Sequence, residues 1–225
     1  MNYGVIVAAG KSERMGPNVD KAFLSLGTRP VLAYSVQAFE KCHDIDGIVL
    51  VVRRDRLEAT HGMVQMLGFA KVRKIVAGGA RRQDSVANGL EPLNDEVKIV
   101  AVHDGARPCV TADLIAETVK AAKRYGSGVA AAKLTDTVKY VENGLTVTKT
   151  LDRSKLWAVQ TPQTFRLDLL RKALAAVVRK RVTVTDEAAA VEMLGEEVRL
   201  VPVAQPNIKV TTPDDLALAT ILLRL

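Results

Sequence analysis

The chain has 225 residues, of which 48% are hydrophobic and 25% are charged, a balance typical of a folded globular protein rather than a disordered one. Its formal net charge of +7 is compatible with an anionic partner, but aromatic residues make up only 4% and no nucleic-acid-binding motif accompanies the charge. No apolar run approaches the ~20 residues of a membrane span. We therefore expect neither nucleic acid nor a membrane as a partner.

Length and cysteine usage favour a single intracellular domain. A chain of this length can bury one sizeable core, and no linker divides it, so we expect one domain over residues 1–225. Cys42 and Cys109 lie far apart without a CxxC spacing, which predicts reduced thiols. The first residues lack the pattern of a signal peptide, so we expect a cytoplasmic protein.

Short apolar runs alternate with amphipathic stretches along the chain. The predicted strands are Gly4–Ala8, Ile48–Val52, Val72–Val76, Val97–Val102, Gly128–Ala132 and Val198–Val203. The predicted helices are Val31–Phe39, Leu57–Leu67, Asp84–Leu93 and Ala112–Tyr125, with further helix starts at Thr212-Pro213 and at Thr185-Asp186-Glu187, the latter with Thr185 as its N-cap and Gly195 at its end. This alternation predicts an α/β fold with a mostly parallel sheet, helices on both faces and ligands beyond the carboxyl ends of the strands.

One segment interrupts the alternation between about residues 135 and 157. Two alternating runs flank Glu142-Asn143-Gly144, and Asn-Gly between such runs is a strong hairpin signal. An isolated two-stranded hairpin is marginal in water, so we expect this arm to pack against another subunit or, alternatively, to fold back on its own domain.

The loop after the first predicted strand has the composition of an anion-binding loop. Small residues around Gly10 allow backbone N–H groups to approach an anion, and Arg14 and Lys21 follow. The spacing matches neither a Walker A sequence, which would need glycine in place of Val5, nor G-x-G-x-x-G, which would need glycine in place of Ser12. The interpretation is a polyphosphate site, against the alternative of a structural loop with surface cations.

A second cluster, His103 to Pro108, follows the strand predicted at Val97–Val102. The carboxylate of Asp104 could hold a metal or a substrate hydroxyl, and Arg107 could bind a phosphate, or the two could form a pair that stiffens the loop. We expect His103 to be a packed, hydrogen-bonded side chain, because no HExxH spacing supports a zinc site.

Many short motifs in order give the chain a resemblance to one family, the 2-C-methyl-D-erythritol 4-phosphate cytidylyltransferases of the non-mevalonate isoprenoid pathway. The resemblance covers essentially the whole chain. It rests on Ala8-Ala9-Gly10, Arg14-Met15-Gly16, Lys21, Gly78-Gly79, Asp84-Ser85-Val86, His103-Asp104-Gly105-Ala106-Arg107-Pro108, Asp136-Thr137-Val138-Lys139, Asp152-Arg153, Leu156-Trp157, Gln160-Thr161-Pro162-Gln163, Thr185-Asp186-Glu187-Ala188 and Asn207-Ile208-Lys209-Val210.

The resemblance implies a Rossmann-like, glycosyltransferase-A-like nucleotidyltransferase fold and a homodimer built by interlocking hairpin arms. It also implies transfer of CMP from CTP to a phosphorylated sugar alcohol, methylerythritol phosphate, with release of pyrophosphate. Mg²⁺ would bridge the CTP phosphate oxygens, and among protein groups Asp104 is the nearest candidate ligand. The alternative acceptor is ribitol 5-phosphate, because cytidylyltransferases for that substrate look alike.

The family pattern also implies a role for each matching residue. On the nucleotide side, the backbone of Ala8, Ala9 and Gly10 contacts the nucleotide and its phosphates, Gly79 and Ser85 read cytosine, and Arg14 and Lys21 stabilise charge on the phosphates. On the acceptor side, the implied residues are Asp104, Arg107, Thr137, Arg153, Thr161, Thr185 and Lys209, with Arg153 and Lys209 orienting the incoming phosphate and Arg153 and Thr137 coming from the partner's arm.

This chain departs from the family pattern at a few loop positions. Ser12 replaces a usual glycine, and Ala80 replaces a common acidic residue. Lys21 lies between Asp20 and Ala22, where the family frequently has proline and glutamine. Rivals from other classes are a basic nucleic-acid-binding module, which would release no pyrophosphate, and a nucleotide sensor without catalysis.

Overall fold

The computed structural model describes residues 1–10 and 20–225, so the predicted role of Arg14 lies outside the described residues. The strands are β1 (Asn2–Ala8), β2 (Ser25–Leu26), β3 (Arg29–Pro30), β4 (Gly47–Val52), β5 (Val72–Ala77), β6 (Ile99–Asp104), β7 (Ser127–Lys133), β8 (Val138–Tyr140), β9 (Lys149–Leu151), β10 (Trp157–Arg166) and β11 (Leu200–Pro202). The helices are α1 (Val31–Lys41), α2 (Leu57–Leu67), α3 (Arg82–Leu90), α4 (Ala112–Tyr125), α5 (Leu167–Lys180), α6 (Glu187–Glu192) and α7 (Pro213–Leu223).

The central sheet confirms the predicted α/β class. Among the described residues it has seven strands in the order β11-β7-β10-β6-β1-β4-β5. All neighbouring pairs are parallel except those of β10, which runs antiparallel to both β6 and β7. The strand order reverses direction between β1 and β6, and that reversal opens a crevice at the carboxyl ends of the two strands.

Helices cover both faces of the sheet, as predicted. Successive residues of a strand point to opposite faces, so Ile6 packs into one apolar cluster and Val5 into the other. The cluster around Ile6 includes residues of α1, α2 and α4, and the cluster around Val5 includes residues of α3, α5 and α6. Strand β4 is buried at every position, because helices cover both faces of the sheet. This is why its sequence is a continuous apolar run.

Two elements differ most from the predictions. Strand β10 and helix α5 were not predicted, although together they fill residues 157–180. Three boundaries also move: the helix predicted at Asp84–Leu93 is Arg82–Leu90, the strand predicted at Val97–Val102 is Ile99–Asp104, and the strand predicted at Val198–Val203 is only Leu200–Pro202.

The predicted N-cap at Thr185 is wrong by one residue. Asp186 begins α6, because its carboxylate Oδ1 accepts a hydrogen bond of 2.9 Å from the backbone N–H of Ala189. The start predicted at Thr212 is confirmed as a capping box, in which the Asp215 carboxylate also accepts the N–H of Thr212 at 2.8 Å.

The hairpin predicted between residues 135 and 157 is present but short. Strands β8 and β9 pair antiparallel over three residue pairs, from Val138 opposite Leu151 to Tyr140 opposite Lys149. The connection between them is exposed, and Leu145 at its tip is 98% exposed. This segment, residues 135–157, is called the arm below.

Cys42 and Cys109 are both buried and unpaired, in agreement with the prediction of free thiols. Within the described ranges, no helix combines the length and apolar character needed to cross a bilayer.

Candidate active site

A cavity of about 310 Å³ lies at the crevice between β1 and β6. The end of β1 and the residues after it, Ala8, Ala9 and Gly10, form one side, and Asp104 at the end of β6 forms another. Further predicted residues in its wall are Lys21, Gly79, Ser85 and Lys209. The structure thus brings most of the predicted nucleotide-side residues to one cavity at the place where α/β sheets bind ligands.

A close-packed bend before α3 borders this cavity. A Cβ on Gly78 would lie 2.3 Å from the Cβ of Ala9, and a Cβ on Gly79 would lie 2.5 Å from the Cβ of Asp84, so both positions require glycine. The hydroxyl of Ser85 accepts the Gly79 N–H at 3.0 Å and donates to the carbonyl of Arg81 at 3.1 Å. This hydroxyl fixes the bend and keeps one acceptor lone pair for a ligand.

The Asp104 carboxylate is surrounded by cations. Arg82 donates to its Oδ1 through Nε at 3.2 Å and Nη2 at 3.1 Å, and the Lys209 ammonium donates to its Oδ2 at 2.6 Å. Arg82 also donates to Glu187 at 2.6 Å, while Arg107 lies 3.9 Å from Asp104 Oδ2. Three cations thus meet two carboxylates, and the excess positive charge suits a phosphate group.

Burial and pairing have opposite effects on the protonation of this cluster. Burial tends to raise the pKa of Asp104, but Arg82 and Lys209 outweigh it and hold that pKa well below its usual range. Burial raises the pKa of Glu187, and the attraction of Arg82 opposes that rise. Burial tends to lower the pKa of Arg82, but Glu187 and Asp104 raise it overall. Asp104 is therefore ionised near neutral pH.

Thr161 does not line the cavity but supports Asp104 through a hydrogen bond to its backbone. Its hydroxyl accepts the backbone N–H of Asp104 at 3.1 Å and lies 3.0 Å from Nδ1 of the fully buried His103. The other ring nitrogen of His103, Nε2, lies 3.4 Å from the carbonyl of Arg107, which can only accept. His103 is therefore the tautomer protonated on Nε2, and the Thr161 hydroxyl donates to Nδ1.

The hydrogen-bonded chain of His103, Thr161 and the Asp104 backbone is called the relay below, and its histidine is neutral. Burial lowers the pKa of His103 to about 3, so the imidazole carries no charge near neutral pH. This confirms the expectation of a packed, hydrogen-bonded histidine. The polar chain from His103 through Thr161 to the backbone of Asp104 fixes the end of β6.

The segment of residues 207–210 holds Lys209 beside Asp104. The Arg107 guanidinium donates to the carbonyl of Asn207 at 2.7 Å, and the Asn207 amide donates to the carbonyl of Thr161 at 2.8 Å. The N–H of Val210 donates to the carbonyl of Ala106 at 2.8 Å. Arg107 is thus bound to this segment, whereas Lys209 lines the cavity, as do Lys21, Arg81 and Arg82.

The remaining predicted residues lie away from the cavity wall of the described chain. Thr137 and Arg153 belong to the arm, where the Arg153 guanidinium donates to the carbonyl of Thr135. Thr185 precedes the Asp186 cap of α6. The structure therefore does not bring these three residues to the wall built from the described part of one chain.

Arg82 and Glu187 are site residues that the sequence analysis missed. They are 105 residues apart and their contact is part-buried, so no local spacing connects them. The available signals were the helix start after Gly79 for Arg82 and the Thr185-Asp186-Glu187 motif for Glu187. Both signals indicate a helix start more directly than a charge partner of Asp104.

Comparison with known proteins identifies the family. A family model described as 2-C-methyl-D-erythritol 4-phosphate cytidylyltransferase matches residues 3–225. The chain belongs to this family. A family relative of the same description from Dehalococcoides mccartyi is 47% identical over 220 residues, which cover 98% of this chain and 95% of the relative.

Solved structures of family members agree with the fold. A 4-diphosphocytidyl-2C-methyl-D-erythritol synthase from Anaerococcus prevotii superposes with a TM-score of 0.87 at 27% identity, covering 100% of this chain and 98% of that one. A 2-C-methyl-D-erythritol 4-phosphate cytidylyltransferase from Thermus thermophilus superposes with a TM-score of 0.79 at 34% identity, covering 98% of each chain. As a member of the family, the chain is a nucleotidyltransferase, and the resemblance given by its motifs is confirmed.

Proposed function

We propose that the protein transfers CMP from CTP to 2-C-methyl-D-erythritol 4-phosphate, giving 4-diphosphocytidyl-2-C-methyl-D-erythritol and pyrophosphate. The observation that carries this proposal is the cavity between β1 and β6, in a chain that matches the family over residues 3–225. Part of the wall offers backbone and small side chains to a nucleotide, and another part offers the cations around Asp104 to a phosphate.

The nucleotide occupies the side of the cavity formed by Ala8, Ala9, Gly10 and the bend at Gly79. Close packing of this bend leaves no room for side chains, so the base meets backbone groups and the spare lone pair of Ser85. An acceptor lone pair matches the exocyclic amine of cytosine. Lys21, in the wall beside the loop, neutralises the triphosphate together with Arg14.

The chemical step is an in-line displacement at the α-phosphorus of CTP. A phosphate oxygen of the acceptor forms the new P–O bond, and the bond to pyrophosphate breaks with its electron pair leaving on pyrophosphate. The attacking oxygen is already an anion, so the chain supplies no general base. Its residues contribute by positioning both substrates and by neutralising the charge that grows on the leaving group.

The acceptor side is built around Asp104. Ionised Asp104 accepts a hydrogen bond of 2.6 Å from the Lys209 ammonium. This contact holds the lysine in place to bind the incoming phosphate. Asp104, Arg107 and Thr185 shape the pocket for the sugar alcohol. Arg153 and Thr137 complete it from the arm of a second copy, so the working unit is a homodimer in the cytoplasm.

Mg²⁺ accompanies CTP in this proposal and is held by phosphate oxygens. Arg82 and Lys209 donate to the two oxygens of Asp104, and Arg107 lies 3.9 Å away, so a metal ion at this carboxylate would meet three positive charges and the site does not fit one. The described residues contain no group of three or more His, Cys, Asp or Glu side chains able to hold a metal ion.

A turnover assay tests the proposal. The protein is incubated with Mg²⁺, each of CTP, ATP, GTP and UTP, and either methylerythritol phosphate or ribitol 5-phosphate, and pyrophosphate release is measured. We expect release with CTP and methylerythritol phosphate. Turnover with ribitol 5-phosphate alone would reassign the acceptor, and no release with any pair would refute the function.

A further inference from the structure

Lys21 lies in a short 3-10 turn, Lys21–Phe23, that forms part of the cavity wall. Asp20 begins this turn. Its Oδ1 accepts the N–H of Ala22 at 3.3 Å, and its backbone carbonyl accepts the N–H of Phe23 at 3.0 Å. Only 2% of the Asp20 side chain is exposed, so this carboxylate acts inside the wall.

The second oxygen of Asp20 faces an arginine. Asp20 Oδ2 lies 3.4 Å from Nε of Arg56, and both atoms are buried without a hydrogen-bond partner among the described residues. Burial raises the pKa of Asp20, and Arg56 and Arg53 oppose that rise. A buried carboxylate depends strongly on its cation, so removal of Arg56 leaves an uncompensated charge in the wall.

Arg56 is itself firmly placed. It ends a turn that follows β4, where its N–H donates to the carbonyl of Arg53 at 2.9 Å and its carbonyl accepts the Thr60 hydroxyl at 2.6 Å. Its guanidinium lies over the ring of Phe23, 5.4 Å from the ring centroid. One guanidinium therefore contacts both ends of the Lys21 turn, Asp20 at the start and Phe23 at the end.

The backbone at Asp20 depends on side-chain contacts to fix its conformation. The residue before Lys21 is Asp20, not a proline. Proline fixes its backbone φ covalently, whereas aspartate leaves that angle free. The hydrogen bond to Ala22 and the contact with Arg56 are the restraints that this chain offers at the same position.

We propose that Asp20 and Arg56 form a positioning pair that holds Lys21 against the triphosphate of CTP. The proposal rests on the proposed function, in which Lys21 neutralises charge on the phosphates. Neither residue of the pair touches the reacting atoms; both act through the turn. Loss of the pair lets the lysine move, and a displacement of about 1 Å can cost up to ~100-fold in rate.

The test measures pyrophosphate release by Asp20→Asn and Arg56→Gln proteins. Asp20→Asn keeps an acceptor for Ala22 but removes the charge that faces Arg56. We expect kcat to fall by about tenfold or more in each, as for a misplaced catalytic group. KM for the phosphorylated sugar alcohol should stay unchanged, because the Lys209–Asp104 contact is untouched. Arg56→Lys, which keeps the charge, should restore part of the loss.

Two comparisons separate positioning from general damage. In a Lys21→Ala background, neither Asp20→Asn nor Arg56→Gln should lower the rate further, because the side chain on which they act is gone. The matched control is the exposed pair of Arg166 and Asp168, 2.7 Å apart at the start of α5. Asp168→Asn and Arg166→Gln make the same charge changes and should leave the rate unchanged.

The proposal is overturned if Asp20→Asn and Arg56→Gln keep the kcat of the unmodified protein, or if their losses persist in full without Lys21. If Asp20→Asn unfolds, Arg56→Gln decides, since 36% of the Arg56 side chain is exposed. If the unmodified protein releases no pyrophosphate, the proposed function fails instead. In that case the affinity for CTP is measured by calorimetry. The positioning pair is supported if Asp20→Asn and Arg56→Gln weaken CTP binding only when Lys21 is present. It is refuted if these variants bind CTP as tightly as the unmodified protein.

Discussion

Replacing Thr161 with valine tests the relay beneath Asp104. Valine has nearly the same shape but no hydroxyl, so the N–H of Asp104 and Nδ1 of His103 both lose their partner inside the protein. Each buried polar group left unsatisfied costs about 1–3 kcal/mol, so the loss of two partners should lower the free energy of unfolding of Thr161→Val by ~2–6 kcal/mol. Thr161→Ser keeps both hydrogen bonds and should lose much less.

The assay is urea denaturation together with steady-state turnover. Because the Asp104 backbone loses its support, the carboxylate that orients Lys209 should shift, and kcat/KM for the acceptor should fall at least about tenfold. A matched control lies three residues further along β10. Thr164 is also fully buried, but its hydroxyl donates to Thr118 and supports no residue of the cavity. Thr164→Val should leave kcat/KM close to that of the unmodified protein.

The relay is refuted if Thr161→Val matches Thr164→Val in both stability and turnover. A rise in the acceptor KM at unchanged stability would mean that Thr161 binds the substrate directly, as the family pattern implies. NMR of the His103 ring gives an independent check, since the relay requires the neutral tautomer protonated on Nε2.

Three further predictions concern other parts of the chain. Gly78→Ala should weaken CTP binding measured by calorimetry, because the new methyl group meets Ala9 at 2.3 Å. Asp104→Asn should lower turnover without changing the Mg²⁺ concentration that gives half-maximal rate, because Asp104 does not hold the metal; a changed Mg²⁺ dependence would contradict this. Hydrogen bonds from Thr211 and Thr212 lower the pKa of Asp215 to about 2, so its stabilising effect is present above the ordinary pKa of 3.8 and is lost as the pH falls toward 2. Asp215→Asn should therefore show a smaller acid-induced loss of unfolding free energy over that range, measured by denaturation at each pH.

The sequence predicted the parallel half of the fold well, for a physical reason. Strands such as β4, buried on both faces, are continuous apolar runs, and little else produces that pattern. Strand β10 was missed because Gln160-Thr161-Pro162-Gln163 has the composition of a turn. Its polar side chains are buried against distant partners: Gln163, for example, bonds Asp186 and the N–H of Ala188.

Helix α5 followed a pattern that was present in the sequence. Leu167, Leu170, Leu174 and Val177 recur at helical spacing and are all buried. The charge cluster at Asp104 is different in kind. Asp104 and its partner Lys209 are 105 residues apart in the sequence, and so are Arg82 and Glu187. Only the folded sheet brings these groups together.

The direction of β10 brings the arm close to the candidate active site. Because this strand runs antiparallel to β6, it begins at the end of the sheet where the cavity lies, and Thr161 is only four positions after Trp157, where the arm joins the strand. At ~3.3 Å per residue, these four positions span at most about 13 Å. If a second copy binds the arm, as proposed above, its contacts join a strand that also carries Thr161, so the dimer contacts and the support of Asp104 would share one strand.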